Sequence, residues 1–240
     1  MIDPTTVDAV VFDMGGVFVI PHPAAVRDGL TDAGFAVAPH PEAYHRAHHL
    51  GVRALAGTGM HDEADADFWR HYDHAYLGAL GVVEADLVAA QQAFAGVFRA
   101  SAVSLWRHVL DRNVEGFRRL GRAGVPLAIV SNNDGTAEQQ LIDLGICQVG
   151  PGPLTEVAIV VDSTVAGIAK PDPLIFVPAL AALDVAAERA LYVGDTVHAD
   201  VRGAVAAGMQ VVQLDPYDDH ADFDHARVPD VAMLADILLG

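Results

Sequence analysis

The sequence predicts an α/β fold in which a doubly wound parallel sheet carries an inserted, all-helical segment. From about residue 108 onward, short apolar runs alternate with amphipathic segments of helical length, as in strands joined by crossover helices. A further apolar run occupies residues 7–12, far ahead of the others. Residues 21–107, which separate the two regions, carry apolar residues at helical spacing and no strand-like run.

The first strand is predicted at residues 7–12, where a continuous apolar run ends at the polar and glycine-containing stretch 13–16. Such a strand fits the centre of a parallel sheet, because helices cover both faces of that sheet. The insert that follows is predicted to hold about four helices, among them residues 41–55, 62–80 and 84–99.

Strands and helices are predicted in alternation beyond the insert. The strands cover residues 126–130, 158–161, 190–193 and 210–214. The helices cover residues 113–123, 136–144, 173–183 and 198–207, and three of them end just before a glycine. The acidic stretch 215–230 is predicted as a surface loop ahead of a short last helix. The expected domains are an α/β core of residues 1–20 and 108–240 and a helical domain of residues 21–107.

Composition narrows the functional classes. A content of 52% hydrophobic residues in a chain of 240 is enough for a sizeable core. The net charge of −18 disfavours nucleic acid and anionic membrane surfaces, so neither is expected as a partner. The single cysteine, Cys147, excludes an internal disulfide, and no basic and apolar leader precedes the first strand. We therefore expect a cytoplasmic protein, and the sequence leaves its oligomeric state open.

Polar side chains stand where several predicted strands end. Asp13, Ser131 and Asp195 each follow an apolar run, and Asp200 comes shortly after the last of these. Lys170 stands in a loop ahead of a predicted helix. Ligands of open α/β sheets bind beyond the carboxyl ends of the strands. We therefore expect these residues to form one site, with the helical insert as a cap over it.

Four segments together resemble the four motifs of the haloacid dehalogenase (HAD) superfamily, in the family's order. They are FDMGGV at residues 12–17, IVSN at 129–132, KPDPLIF at 170–176 and VGDTVHAD at 193–200. The resemblance covers the whole chain. It implies a HAD-like, Rossmann-like core with the family's first type of helical cap, and a phosphatase that acts on a small phosphorylated metabolite.

The resemblance implies that Asp13 is a nucleophile that attacks phosphorus and forms an aspartyl-phosphate, which divides one difficult displacement into two easier ones. Ser131 and Lys170 would hold the phosphoryl oxygens, and the backbone N–H of Asn132 would assist them. Lys170 would also counter the charge of the nucleophile.

Mg²⁺ is the cofactor that the resemblance implies. Its ligands would be the Asp13 carboxylate, the Gly15 carbonyl oxygen and Asp195. Asp200 would be a further ligand or would support one. Oxygen ligands and retained waters suit Mg²⁺, and the ion would help an acidic protein to attract an anionic substrate.

Gly15 departs from the pattern of the family's phosphatases. In the phosphatases that this chain resembles, a second aspartate usually lies two residues after the nucleophile. It protonates the leaving oxygen and then activates water. Glycine keeps a carbonyl for the metal but supplies no proton, and such general acid–base help contributes roughly 10²–10⁴-fold. Its loss is expected to matter most for poor leaving groups such as alkoxides.

Three functions remain open. A phosphatase could act on good leaving groups, such as a sugar phosphate joined at the anomeric carbon, since some family members with this glycine resemble sugar-phosphate phosphatases. It could also borrow an acid from the insert, where the candidates by residue type are His22, His45, His48 and His49. A 2-haloacid dehalogenase needs no second acid, but such enzymes lack a metal, and the segment 193–200 argues against one. The third interpretation is a weakly catalytic relative that binds phosphate and metal.

Overall fold

The structure is a computed structural model that describes residues 2–56, 66–100 and 104–240. The chain divides into two compact units, of which one comprises Met1–Phe18 with Val109–Gly240 and the other comprises Val19–His108. We call the first the core unit and the second the helical unit.

The strands and helices of both units are numbered together along the chain. In chain order the strands are β1 (Ala9–Phe12), β2 (Val19–Pro21), β3 (Trp106–Val109), β4 (Leu127–Ser131), β5 (Cys147–Val149), β6 (Thr155–Val157), β7 (Val160–Asp162), β8 (Ala190–Gly194), β9 (Gln210–Leu214) and β10 (Ala226–Val228). The helices are α1 (Pro23–Asp32), α2 (Pro41–Ala56), α3 (Ala66–Ala79), α4 (Leu87–Ala100), α5 (Asp111–Arg122), α6 (Ala137–Asp143), α7 (Ser163–Ala166), α8 (Val177–Leu183), α9 (Arg202–Ala206) and α10 (Val231–Leu239).

A six-stranded sheet in the order β10-β9-β8-β1-β4-β7 forms the centre of the core unit, and its strand pairs are parallel. The strands β1, β4 and β8 are buried along their whole length, as their continuous apolar sequences predict. Phe12 at the end of β1 pairs with Val193 on β8 and with Ile129 on β4. The predicted parallel α/β fold is therefore confirmed, and three central strands end at the same edge.

Aromatic rings pack near the central strands. Phe12, Phe18 and Phe117 contact one another with ring centroids between 4.9 and 5.5 Å apart. In a second cluster, the Tyr192 ring of β8 meets Phe176 edge to face at 5.0 Å. Tilted and edge-to-face pairs of this kind add to the stability gained from burial alone. Phe12 and Tyr192 lie near the carboxyl ends of β1 and β8, so this packing holds the ends of both strands.

The helical unit has its own hydrophobic core. Its buried residues are Val26, Leu30, Tyr44, Ala47, Val52, Leu55, Tyr72, Tyr76, Leu77, Leu80, Val82, Leu87, Ala90, Phe94 and Leu105. The helices α1 to α4 agree with the predicted helical insert, but the strands β2 and β3 pair with each other and make the segment not wholly helical. Runs this short cannot show a strand period in the sequence. Of the helix predicted at 62–80, residues 62–65 lie outside the described residues.

Other short elements also differ from the predictions. The stretch 215–230 is predicted as a loop, yet Ala226–Val228 within it forms β10 and extends the sheet beside β9. The strands β5 and β6 form a separate parallel pair. The helix predicted at 198–207 begins with a π-helical turn, Val197–Val201. Within the described ranges, we find no helix with the length and apolar character needed to cross a membrane.

Candidate active site

Adjacent strands bring three carboxylates to one edge of the central sheet. Asp13 directly follows β1, and its backbone N–H donates to the carbonyl of Val193 on β8 at 2.8 Å, which fixes the Asp13 backbone. Asp195 follows β8, and Asp200 lies in the π-helical turn after it. Among the described residues, carboxylate oxygens of Asp13, Asp195 and Asp200 lie within 4.8 Å of one another. The structure thus brings together the three acidic residues that the sequence analysis selects.

Lys170 places its ammonium group between these carboxylates. Its Nζ lies 2.9 Å from Asp13 Oδ1 and 2.8 Å from Asp200 Oδ1. The same Nζ donates to the Tyr192 hydroxyl at 2.9 Å. Burial lowers the pKa of Lys170, but the carboxylates of Asp13 and Asp200 outweigh it and raise that pKa above its ordinary value. Lys170, only 3% exposed, is therefore a buried cation.

Asp200 is the most firmly held of the three carboxylates. Its Oδ2 accepts hydrogen bonds from the backbone N–H groups of Asp195 and Thr196, at 3.2 and 2.9 Å, and from Thr196 Oγ1 at 2.7 Å. Burial raises the pKa of Asp200, but Lys170 and the Thr196 donors hold it below its ordinary value. Asp200 is therefore a fixed anion at the base of the site.

Asp13 and Asp195 carry charge less readily. Burial raises the pKa of Asp13 to about 7. The charge of Lys170 opposes this rise, and repulsion from Asp200 and Asp195 adds to it. Burial and the charge of Asp200 raise the pKa of Asp195 well above its ordinary value. Three carboxylates around one ammonium leave an excess of negative charge in a buried space. This charge and the all-oxygen donor set fit a small divalent cation such as Mg²⁺.

Two glycines allow the backbone to approach these carboxylates. Gly16 has a φ of +66°, and a Cβ at this position would overlap the Asp195 carboxylate. A Cβ at Gly194 would overlap the side chain of Asp200. A side chain at either position would therefore displace a carboxylate from the cluster.

Asn132 contacts Lys170 through its side chain. Asn132 Oδ1 accepts from the Lys170 N–H at 2.8 Å, and Nδ2 donates to the Lys170 carbonyl at 3.0 Å. The amide therefore clamps the backbone of the loop that carries the lysine. Ser131 is buried at the end of β4, and Gly15 is half-buried in the loop after β1. The phosphate contacts expected of Ser131 and of the Asn132 backbone stay predictions.

Asp162 is a structural residue of the site that the sequence analysis missed. It ends β7, where it pairs in register with Ser131 on β4. Its carboxylate accepts from the backbone N–H groups of Gly135, Ala137 and Thr164 at 2.9 to 3.2 Å. These bonds hold the loop that follows Ser131. Because Asp162 also follows an apolar run, the rule that selected Asp13 could have identified it.

Tyr192 and Gln213 were also missed, although both sit inside apolar strands. The Tyr192 hydroxyl contacts Lys170, Asp200 Oδ1 and the Val130 carbonyl. Gln213 Nε2 donates to the carbonyl of Asp195 at 2.7 Å. A polar group inside a buried strand needs a hydrogen-bond partner, and this need is the signal that could have marked both residues.

The chain is similar in sequence to one protein family and to two phosphatases. The sequence profile of haloacid dehalogenase-like hydrolases matches residues 7–208. A phosphoserine phosphatase of Thermus thermophilus is 38% identical over 114 residues, which cover 46% of this chain and 43% of that protein. A glyceraldehyde 3-phosphate phosphatase of Methanopyrus kandleri is 42% identical over 73 residues, which cover 30% and 31%. The chain thus spans less than half the length of these two relatives.

A solved structure shows similarity over nearly the full chain. The HAD-hydrolase YfnB of Bacillus subtilis, solved with magnesium bound, matches 97% of this chain and 98% of its own with a TM-score of 0.61. Its sequence identity is 20%, so the likeness concerns the fold.

Proposed function

We propose that this chain, which belongs to the haloacid dehalogenase-like hydrolase family, is a Mg²⁺-dependent phosphatase of a small phosphorylated metabolite. The observation that carries the proposal is the buried cluster in which the Lys170 ammonium lies 2.9 Å from Asp13 Oδ1, with Asp195 and Asp200 beside it. A reactive carboxylate, an adjacent cation and an oxygen-lined cation site are the parts that phosphoryl transfer requires. The names of the two phosphatase relatives support the same reaction class.

The carboxylates of Asp13 and Asp195 and the Gly15 carbonyl are the proposed ligands of Mg²⁺, with Asp200 as a ligand or support. When bound, the ion would supply positive charge to the phosphoryl oxygens and offset the acidic surroundings. The carboxylate oxygens of Asp200 already contact Lys170, Thr196 and backbone donors. Its first role is therefore to hold those groups in place.

Asp13 is the proposed nucleophile. A carboxylate oxygen forms a bond to phosphorus while the bond from phosphorus to the leaving oxygen breaks, which gives an aspartyl-phosphate. The oxygen of a water molecule then attacks phosphorus, the bond to Asp13 breaks, and inorganic phosphate leaves with the carboxylate restored. Lys170 favours the ionised form of Asp13 that must attack, and it would hold phosphoryl oxygens together with Ser131.

Gly15 narrows the substrate class within this proposal. Without a carboxylic acid at this position, the leaving oxygen must take its proton from water or depart as an anion. Esters whose leaving groups are stable as anions, such as phosphates at an anomeric carbon or aryl phosphates, are therefore favoured over alkyl phosphates.

A weakly catalytic phosphate- and metal-binding protein is the second candidate, and Gly15 is the observation that favours it. A 2-haloacid dehalogenase is less well supported, because a metal-free reaction at carbon gives no role to Asp195 and Asp200 beside Asp13.

Hydrolysis of para-nitrophenyl phosphate, with and without Mg²⁺, tests these alternatives. We expect turnover that needs the metal and is lost in Asp13→Asn, whereas Asp8→Asn, which alters an exposed carboxylate in the same unit, stays active. Metal-dependent phosphate binding without turnover would favour the second candidate. Halide release from a 2-haloacid without metal would contradict the proposal.

A further inference from the structure

Tyr192 is a polar residue in the middle of the central sheet. It lies on β8, and its ring is fully buried in an apolar cluster with Val11, Val130 and Phe176. Its hydroxyl emerges from this cluster next to Lys170 and Asp200. An apolar residue would serve the packing as well, so the hydroxyl calls for a separate explanation.

The Lys170 ammonium lies close to three oxygen atoms. They are Asp13 Oδ1 at 2.9 Å, Asp200 Oδ1 at 2.8 Å and the Tyr192 oxygen at 2.9 Å. Asp13 is 8% exposed and is the most accessible of the three, whereas Asp200 is 1% exposed and Tyr192 is fully buried. The hydrogen bonds to Asp200 and Tyr192 therefore hold the ammonium from inside the protein, where it forms an ion pair with Asp13 Oδ1.

The Tyr192 hydroxyl accepts from Lys170 through its oxygen and carries one proton of its own to donate. Its proton can go to Asp200 Oδ1 at 2.9 Å or to the Val130 carbonyl at 3.1 Å. Through these bonds a single hydroxyl joins β8, the strand β4 next to Ser131, and the loop of Lys170.

We propose that Tyr192 is a positioning residue whose hydroxyl, together with Asp200, directs the Lys170 ammonium at the Asp13 carboxylate. The inference rests on the proposed function, in which Asp13 reacts and Lys170 assists it. Without the hydroxyl, one ammonium proton loses its acceptor in a buried space, and the ammonium can turn away from Asp13. The lysine keeps its charge, so attraction of an anionic substrate remains.

Tyr192→Phe tests the inference, because it removes one oxygen and keeps the ring. In the Mg²⁺-loaded protein we expect kcat for para-nitrophenyl phosphate to fall about ten- to a hundredfold, the equivalent of one hydrogen bond to a charged group. KM is expected to change less than about threefold, because the charge stays in the site. The matched control is Leu180→Ala, which removes apolar contact from the same cluster and no polar contact. It is expected to lower the melting temperature while kcat stays within about twofold.

A stability measurement separates failure of this inference from failure of the proposed function. Unfolding by urea is measured for Tyr192→Phe, Lys170→Met and the double variant, with no substrate present. If the hydroxyl acts through Lys170, the two changes are non-additive, and Tyr192→Phe lowers stability less in the Lys170→Met background. Additive effects, or a kcat unchanged in Tyr192→Phe of an active enzyme, would overturn the inference. An inactive wild type with non-additive stabilities would overturn the phosphatase proposal and leave the contact between Tyr192 and Lys170 intact.

Discussion

Replacing Lys170 by methionine perturbs the centre of the site most directly. The side chain keeps its apolar length, but Asp13 and Asp200 lose a cation that lies 2.9 and 2.8 Å from their oxygens. Lys170 is 3% exposed, so water has little access to the site and does not solvate the two carboxylates in place of the ammonium. Removing one partner of a buried ion pair costs about 3–5 kcal/mol of unfolding free energy, because the other partner stays buried without compensation.

The loss of unfolding free energy in Lys170→Met should depend on pH in a defined direction. Without Lys170, the already raised pKa values of Asp13 and Asp195 rise further, and the pKa of Asp200 is no longer held down by the ammonium. The native state of the variant then binds more protons than the unfolded state does. The variant therefore gains stability relative to the wild type as the pH falls, since protonation removes the repulsion. We expect the full difference at pH 8 and a smaller one at pH 5.5.

Urea unfolding followed by far-ultraviolet circular dichroism measures both effects. Arg189→Met is the matched control, because it breaks the exposed pair with Asp8 in the same unit and should leave stability within experimental error. A Lys170→Met loss no larger than that of the control would refute the account of a buried cation compensating the carboxylates. A loss independent of pH would refute the electrostatic reason given for it.

Three further predictions concern the proton donor, the Lys170 loop and the helical unit. Gly15→Asp should raise kcat on alkyl phosphates by up to roughly 10²–10⁴-fold and on aryl phosphates much less, because only alkoxides need the proton; equal gains on both would be incompatible with a missing acid. Asn132→Ala should lower the unfolding free energy by about 1–3 kcal/mol and reduce kcat, since two backbone groups of Lys170 lose their partner. Gln139→Ala, which removes an exposed side-chain hydrogen bond, serves as its control, and equal effects in both variants would argue against the clamp. Burial lowers the pKa of His48 from 6.5 to about 3, so its contribution to stability is complete above pH 6.5 and is lost as the pH falls toward 3. Between pH 6.5 and 5 the unfolding free energy of the helical unit should fall by about 2 kcal/mol through this residue. Unfolding is followed by the fluorescence of the two tryptophans of this unit. An equally steep fall in His48→Gln would exclude His48 as the cause.

The central strands could be predicted because their environment leaves one physical solution. The apolar runs of β1, β4 and β8 are continuous, and a strand buried on both faces must be apolar along its length. The strands β5, β6 and β10 have three residues each, and such runs carry no readable period. Their existence depends on pairing with neighbours that are distant in sequence, which is why the sequence alone predicts β10 as a loop.

The acidic cluster could be anticipated for a similar reason. Parallel strands bring their carboxyl ends to one edge, so Asp13 and Asp195 had to lie near each other once the strands were placed. The supporting contacts could not be anticipated from spacing. That the Asn132 amide would clamp the Lys170 backbone, or that the Tyr192 hydroxyl would reach Lys170 and Val130, depends on side-chain directions that only packing determines.

Gly15 has one more consequence for the reaction course. An aryl phosphate needs no acid to transfer its phosphoryl group to Asp13, but water must then attack the aspartyl-phosphate without a neighbouring carboxylate as base. The second step should therefore be the slower one. An initial burst of nitrophenol and a lasting aspartyl-phosphate are the kinetic signs of that order.

Trapping of this intermediate is the most direct test of the account. The protein is mixed with Mg²⁺ and para-nitrophenyl phosphate, quenched in acid during turnover and reduced with borohydride, which converts an aspartyl-phosphate to homoserine. We expect homoserine at position 13 by peptide mass spectrometry, in an amount that matches the nitrophenol burst, and none in Asp13→Asn. Steady release of phosphate with aspartate unchanged at position 13 would contradict it.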